Sequence, residues 1–164
     1  MKYLLIFIVF CVCVFVGYVF SSKYNRRKKF FAALISFADK LSLEINFSRE
    51  RLRVLIENFD ETNKKHLLGL DEKFVNYLDK KCELSNEEMF SKIDILKKEE
   101  KDIILLFFRT LGRSDVENQT KEIQNFVKRF LEIKNECDVE CKKYGTLSLK
   151  LGIVAGLFFA VILF

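Results

Sequence analysis

The sequence has no proline, only six glycines and a single histidine. Proline and glycine supply the tight turns that join short strands, so their scarcity argues against a strand-rich fold and leaves long helices. The lone His66 sits in the polar stretch Lys64-Lys65-His66 with no cysteine or carboxylate at ligand spacing, and it reads as a solvated loop residue. No glycine-rich loop is present to cradle a phosphate. Cys137 and Cys141 lie four apart on one helical face and offer two thiolates, short of a four-ligand site, so core packing is the better reading. The acidic cluster Glu99-Glu100-Asp102 reads as the solvated first turn of a helix, favoured by the helix dipole. These gaps lead to the expectation of no catalytic residue, no metal, no cofactor, no small-molecule substrate and no enzymatic activity.

What the chain does have is apolar length at both ends. Of its 164 residues half are hydrophobic, while the charged third is clustered between the termini. Tyr3 to Phe20 is an uncharged run of 18 residues, about 27 Å as a helix and close to the hydrocarbon thickness of a bilayer. A cleaved signal peptide ending near Val19-Phe20-Ser21 is the alternative, giving an exported helical domain tethered by its C-terminal helix. The run is longer than a usual apolar signal core, and the cations that follow would resist translocation. Lys23, Arg26, Arg27, Lys28 and Lys29 form that membrane-surface basic patch, against Lys2 alone before the run, which places the following segment in the cytoplasm. With Lys2, Lys150 and these five set apart, the remainder of the chain carries a net charge of −2. A nucleic-acid-binding domain should carry its positive charge on the folded body, so no nucleic-acid partner is expected. If the body is cytoplasmic, Cys82, Cys137 and Cys141 should be free thiols.

Between the ends the periodicity is helical. Phe30, Phe31, Leu34, Ile35, Phe37, Ala38, Leu41 and Ile45 continue the first span as an amphipathic helix. A second helix is expected from about Ser48 to Phe59, followed by a polar connection from Asp60 to Lys65. Asp71 could cap a short helix carrying Phe74, Val75, Leu78 and Cys82, and Ser85-Asn86-Glu87-Glu88 is a capping box before Met89, Phe90 and Ile93. Lys98 to Leu111 is too apolar for a surface helix and should form the buried centre of a bundle. Some 120 residues are enough for one helical core, which the many phenylalanines can fill.

The organising stretch is Leu111 to Phe164, which reads as one nearly unbroken helix. Gly112 suits the end of the preceding helix, and Ser114-Asp115-Val116-Glu117 is a capping box. Apolar residues then recur every seven at Val116, Ile123, Phe130, Cys137 and Tyr144, after which the helix becomes apolar all round. The purely apolar run Leu151 to Phe164 is 14 residues, about 21 Å, so the span must include Tyr144 to Leu149, with Lys150 snorkelling back to the surface. Gly152, Ala155 and Gly156 form a small-residue motif that lets another helix approach closely. The expected organisation is therefore an N-terminal transmembrane helix at 1–22, a cytoplasmic all-α helical bundle at 23–143 and a C-terminal transmembrane helix at 144–164, with both termini outside.

The basic patch, Thr110-Leu111-Gly112 before Ser114-Asp115, and the closing Leu151-Gly152-Ile153-Val154-Ala155-Gly156-Leu157 resemble the stage III sporulation protein AB family of endospore-forming bacteria. Gly17, Lys23-Tyr24 and the run from Leu34 to Glu44-Ile45 extend the likeness over essentially the whole chain. That family is similar to the type II secretion F, or platform, proteins, with one helical cytoplasmic domain where those have two. The resemblance implies a type II secretion F-like bundle. It also implies a structural role in the channel joining mother cell and forespore, in the mother-cell membrane facing the forespore. Its implied partners are membrane lipid and the other stage III sporulation channel proteins, including a cytoplasmic hexameric ATPase, with self-association as a homo-oligomer left open. The turn carrying Arg109, Thr110, Leu111, Gly112, Arg113 and Asp115 is the implied ATPase contact, and Arg109 stands where relatives are expected to carry an acidic residue.

Overall fold

The computed structural model describes residues 2–43, 49–80, 85–91, 93–111 and 116–163. The protein is all-α, as the scarcity of turn residues requires: helices make up 90% of it, with no strand among the described residues. Two long apolar helices at the ends flank a helical region. The chain forms two compact units, one of Met1–Lys28 with Asn135–Phe164 and one of Lys29–Lys134.

Helix α1 runs from Lys2 to Leu43 without a break. Its character changes along its length: Leu4, Phe7, Phe15, Val19 and Phe20 are exposed, whereas Phe30, Phe31, Leu34, Phe37, Ala38 and Leu41 are fully buried. The one-sided spacing of the second set is that of a helix packed against a core. Ile45 lies outside the described residues.

In the Lys29–Lys134 unit, α2 (Arg49–Glu57) buries Leu52 and Ile56, one turn apart, and carries an exposed Arg53–Glu57 ion pair at 3.0 Å. The polar run from Asp60 to Lys65, expected as a connection, is a helix instead: α3 spans Glu61–Leu67. Three local features stabilise it. The Asp60 carboxylate accepts from the Asn63 N–H at 3.2 Å, Glu61 lies in the first turn and Lys64, Lys65 and His66 in the last, and Leu67 is buried. His66 therefore belongs to a helix rather than a loop. The chain leaves α3 through Leu68 and Gly69, both with positive φ, at 57° and 78°. Gly69 is suited to that conformation, while Leu68 adopts it at a steric cost. Helix α4 (Leu70–Lys80) begins one residue before Asp71, so Asp71 stands inside the first turn, where it is buried, rather than capping it.

Helix α5 (Asn86–Phe90) opens on its expected cap, the Ser85 hydroxyl accepting from the Glu88 N–H at 3.3 Å. Ile93 lies beyond its end but is buried. Helix α6 (Lys98–Thr110) buries Ile104, Leu105, Phe107 and Phe108 and exposes Leu106, so its apolar run has a core face and an outer face. Glu100, expected in solvent, is buried: its carboxylate accepts from the Lys97 N–H at 2.8 Å, which satisfies the backbone donor at the start of α6. Asp102 stays exposed and accepts from the Asn86 side-chain amide at 2.9 Å.

Phenylalanine fills this unit. Phe108 meets Phe74 at 4.4 Å and Phe37 at 6.0 Å between ring centroids, Phe37 meets Phe59 edge-on at 5.4 Å, and Phe107 meets both Phe126 and Phe130 at 5.4 Å. These separations lie in the favourable range for tilted and edge-to-face rings, and each buried ring contributes about 1.5–3 kcal/mol through burial.

The C-terminal stretch is helical from Val116 to Leu163: α7 (Val116–Glu140), a π-helical turn at Cys141–Gly145, and α8 (Thr146–Leu163). Gly112, Ser114 and Asp115, in which the sequence places a helix end and a capping box, lie outside the described residues, as does Cys82.

Candidate functional site

Among the described residues, two helices are long and apolar enough to cross a membrane, at Ile6–Leu43 and Asn118–Ile162. Only 6% and 11% of their apolar windows are buried within the protein, which separates them from the core helix of a soluble fold. In the unit of Met1–Lys28 and Asn135–Phe164 these segments form an antiparallel pair. Going up α1, Phe10 meets Gly156, Cys13 and Gly17 meet Gly152, Ser21 meets Gly145, Tyr24 meets Tyr144, Arg27 meets Glu140 and Lys28 meets Asp138.

Glycine sets the closeness of this pair. A Cβ on Gly152 would stand 2.8 Å from the Cys13 carbonyl oxygen and 3.2 Å from the Gly17 Cα, and one on Gly17 would stand 2.8 Å from the Ser148 carbonyl oxygen. Those are backbone atoms and cannot swing aside. Gly156 faces the Phe10 ring, whose Cδ2 would be 2.8 Å from an added Cβ. The helix approached by the Gly152/Gly156 motif is thus α1 of the same chain, as close backbone packing between membrane helices requires. Ala155 is half-buried.

The π turn sets which face α8 offers. A seven-residue step from the buried Cys137 leads to Tyr144, which is 42% exposed, while its neighbour Gly145 is buried. The same step then leads from Gly145 to Gly152. A π turn accommodates one extra residue in the helix. The heptad expected to continue through Tyr144 therefore moves on by one position, and glycines take the close-packed positions against α1, while Tyr144 meets α1 through its ring, stacked on Tyr24. Cys137 and Cys141 are free thiols, the first buried and the second half-buried beside Gly145.

Polar contacts close the pair at its other end. The guanidinium of Arg27, itself buried, donates to the Glu140 carboxylate, and the Lys28 ammonium lies 2.6 Å from Asp138. The hydrogen bond and the charge of Asp138 raise the Lys28 pKa above its ordinary value. Within the basic patch, Arg27 and Lys28 are engaged by acidic side chains of α7, and Lys23, Arg26 and Lys29 lie exposed at the surface. Asp138 and Glu140 had no visible role in the sequence. Only the antiparallel register identifies them as counter-ions.

Of the turn implied as a partner contact, Arg109 is exposed, Thr110 is half-buried with its hydroxyl donating to the Phe107 carbonyl at 2.8 Å, and Leu111 is half-buried. Gly112, Arg113 and Asp115 lie outside the described residues.

Searches of curated proteins and of solved structures returned no match. The family model for stage III sporulation protein AB, in contrast, matches residues 2–164. With a match of that extent over an all-α chain carrying two membrane-length helices, the protein belongs to the stage III sporulation protein AB family.

Proposed function

We propose that this stage III sporulation protein is a membrane-anchored, non-enzymatic assembly component resembling the platform protein of the mother cell–forespore channel. The observation that carries this reading is the glycine-packed antiparallel pair of α1 and α8. A helical body with a membrane helix at each end in sequence suits a part that passes force or position to a membrane complex rather than one that turns over substrate. The excess of cations after the first span supports a cytoplasmic body in the mother-cell membrane facing the forespore, with both termini outside. The packing of Gly17 on Gly152 supports retention of the first span, because cleavage near Phe20 would remove the surface that α8 covers.

The partners in this reading are other stage III channel proteins and a cytoplasmic hexameric ATPase, which docks at the turn from Arg109 to Asp115. Reversing the charge of the exposed Arg109 should cost less than about 1 kcal/mol of stability, as surface charge changes usually do, and reversing Arg109 and Arg113 together should weaken ATPase binding. The check is co-purification of the ATPase with correctly inserted protein from sporulating cells. A folded variant that binds the ATPase as the parent does, and still supports spore formation, would move docking to another surface.

A further inference from the structure

We propose that Arg26, Lys142 and Lys143 form a binding surface for the headgroups of anionic phospholipids at the polar end of the helix pair, an inference that rests on the pair lying in a membrane. The register places these three cations at one level. Tyr24 stacks on Tyr144 at 6.1 Å between centroids, and Arg27 meets Glu140. Arg26, between Tyr24 and Arg27 on α1, is therefore level with the turn that holds Lys142 and Lys143. All three are exposed.

The depth of this level is marked from both sides. Below it, apolar side chains dominate the exposed surface: Phe15, Val16, Val19 and Phe20 on α1, and Leu147, Leu151 and Val154 on α8, with Lys150 the charged exception on α8. Above it stand the ion pairs to Glu140 and Asp138. A pair of tyrosines at such a boundary is the mark of the headgroup layer, where an aromatic ring can bury its face and keep its hydroxyl wet. Lys143 Nζ lies 5.3 Å from the Tyr144 ring centroid, which keeps this cation at that layer. Lys150 is exposed six residues further into the span, about 9 Å deeper, within reach of the same layer for a snorkelling side chain.

The chemistry selects the occupant. Arg27 and Lys28 have carboxylate partners within the chain, so the cationic surface facing outward at this level consists of other residues. A lipid phosphate is the anion that the bilayer itself supplies at that depth, and clustered cations beside a membrane helix select lipids with net negative charge.

The test uses the full-length protein purified in a neutral detergent and titrated with phosphatidylglycerol or phosphatidylcholine, with bound lipid read by native mass spectrometry. The parent should retain phosphatidylglycerol in preference to phosphatidylcholine. The variant R26Q/K142Q/K143Q should bind phosphatidylglycerol at least roughly tenfold more weakly, since each cation near an anionic lipid surface contributes roughly fivefold. Its phosphatidylcholine binding should be unchanged. K142R/K143R, which keeps the charge, should bind like the parent, and K128Q/R129Q, at exposed positions of α7, should do so as well. Equal retention of both lipids by the parent would overturn the proposal, as would suppression by inorganic phosphate beyond that of chloride at equal ionic strength. A triple variant with parental helicity and parental lipid binding would also overturn it, and loss of a protein partner by that variant would assign the cations to an acidic protein instead.

Discussion

Two charged residues in protected settings show how local environment decides what a side chain does. Asp71 is buried in the first turn of α4, and burial raises its pKa above the ordinary carboxylate value, against the N–H groups of Asp71 and Glu72 that donate to it. The folded protein therefore holds this proton where the unfolded chain, with a value of about 3.9, has lost it. The associated stability is fully present below the unfolded value and is lost as pH rises through the raised one. Replacing Asp71 with asparagine should flatten that dependence and leave the protein at least as stable as the parent at neutral pH, which thermal unfolding in detergent from acid to neutral pH will show. Arg27 is the opposite case, a buried cation with a partner. Arg27→Gln removes the cation beside the part-buried Glu140 and should cost about 1–3 kcal/mol, less than loss of a fully buried pair would. The same change at the exposed Arg26 should cost under about 0.5 kcal/mol. Equal losses at the two positions in the same unfolding assay would mean that the Arg27–Glu140 pair adds nothing beyond a surface charge.

At the scale of elements, the π turn and the glycines act together. The turn holds one residue more than an α-helical path from Cys137 to Gly145 would, and that residue sets Gly145, Gly152 and Gly156 against α1. A further alanine after Lys143 should rotate α8 by about 100° and turn Gly152 away from Gly17. Deleting Lys143 should convert the π turn to ordinary helix and keep the glycines in place. Gly152→Leu tests the same contact without altering the phase, because its side chain would meet backbone at 2.8 Å. The insertion and Gly152→Leu should each lower the thermal midpoint of the detergent-purified protein by several degrees, equivalent to about 1–3 kcal/mol, while membrane insertion persists. The deletion should stay near the parent. An insertion variant as stable as the parent would show that the pair does not depend on helix phase.

At the scale of the whole molecule, the antiparallel pair puts the N-terminus of α1 beside the C-terminus of α8, so the two chain ends share one side of any membrane the pair crosses. In the topology proposed from the cations after the first span, this side is the outer one. A cysteine introduced at His66, on α3, should resist a membrane-impermeant thiol reagent applied to intact cells and react once the cells are permeabilised. Labelling without permeabilisation would place the helical body outside.

Much of this was legible in the chain itself. Without proline, and with apolar residues at helical spacing, the sequence determined an all-α protein, the two membrane-length helices, the Ser85 cap and the buried face of Phe30 to Leu41, because these depend on contacts a few residues apart. Local pattern also misled: the run from Asp60 to Lys65 is polar enough for a loop, yet its charges fit the helix dipole and Leu67 anchors it in the core. Glu100 looks solvated until its capping bond to Lys97 is seen. What only tertiary structure decided is the register of α1 against α8. That register turns Gly17 from an isolated glycine into the seat of Gly152, makes Asp138 and Glu140 the counter-ions of Lys28 and Arg27, and moves the buried stripe from Tyr144 to Gly145. The physical reason is that the chemistry of a glycine or a carboxylate here is set by the atom facing it more than a hundred residues away, and no periodicity within one helix specifies that atom.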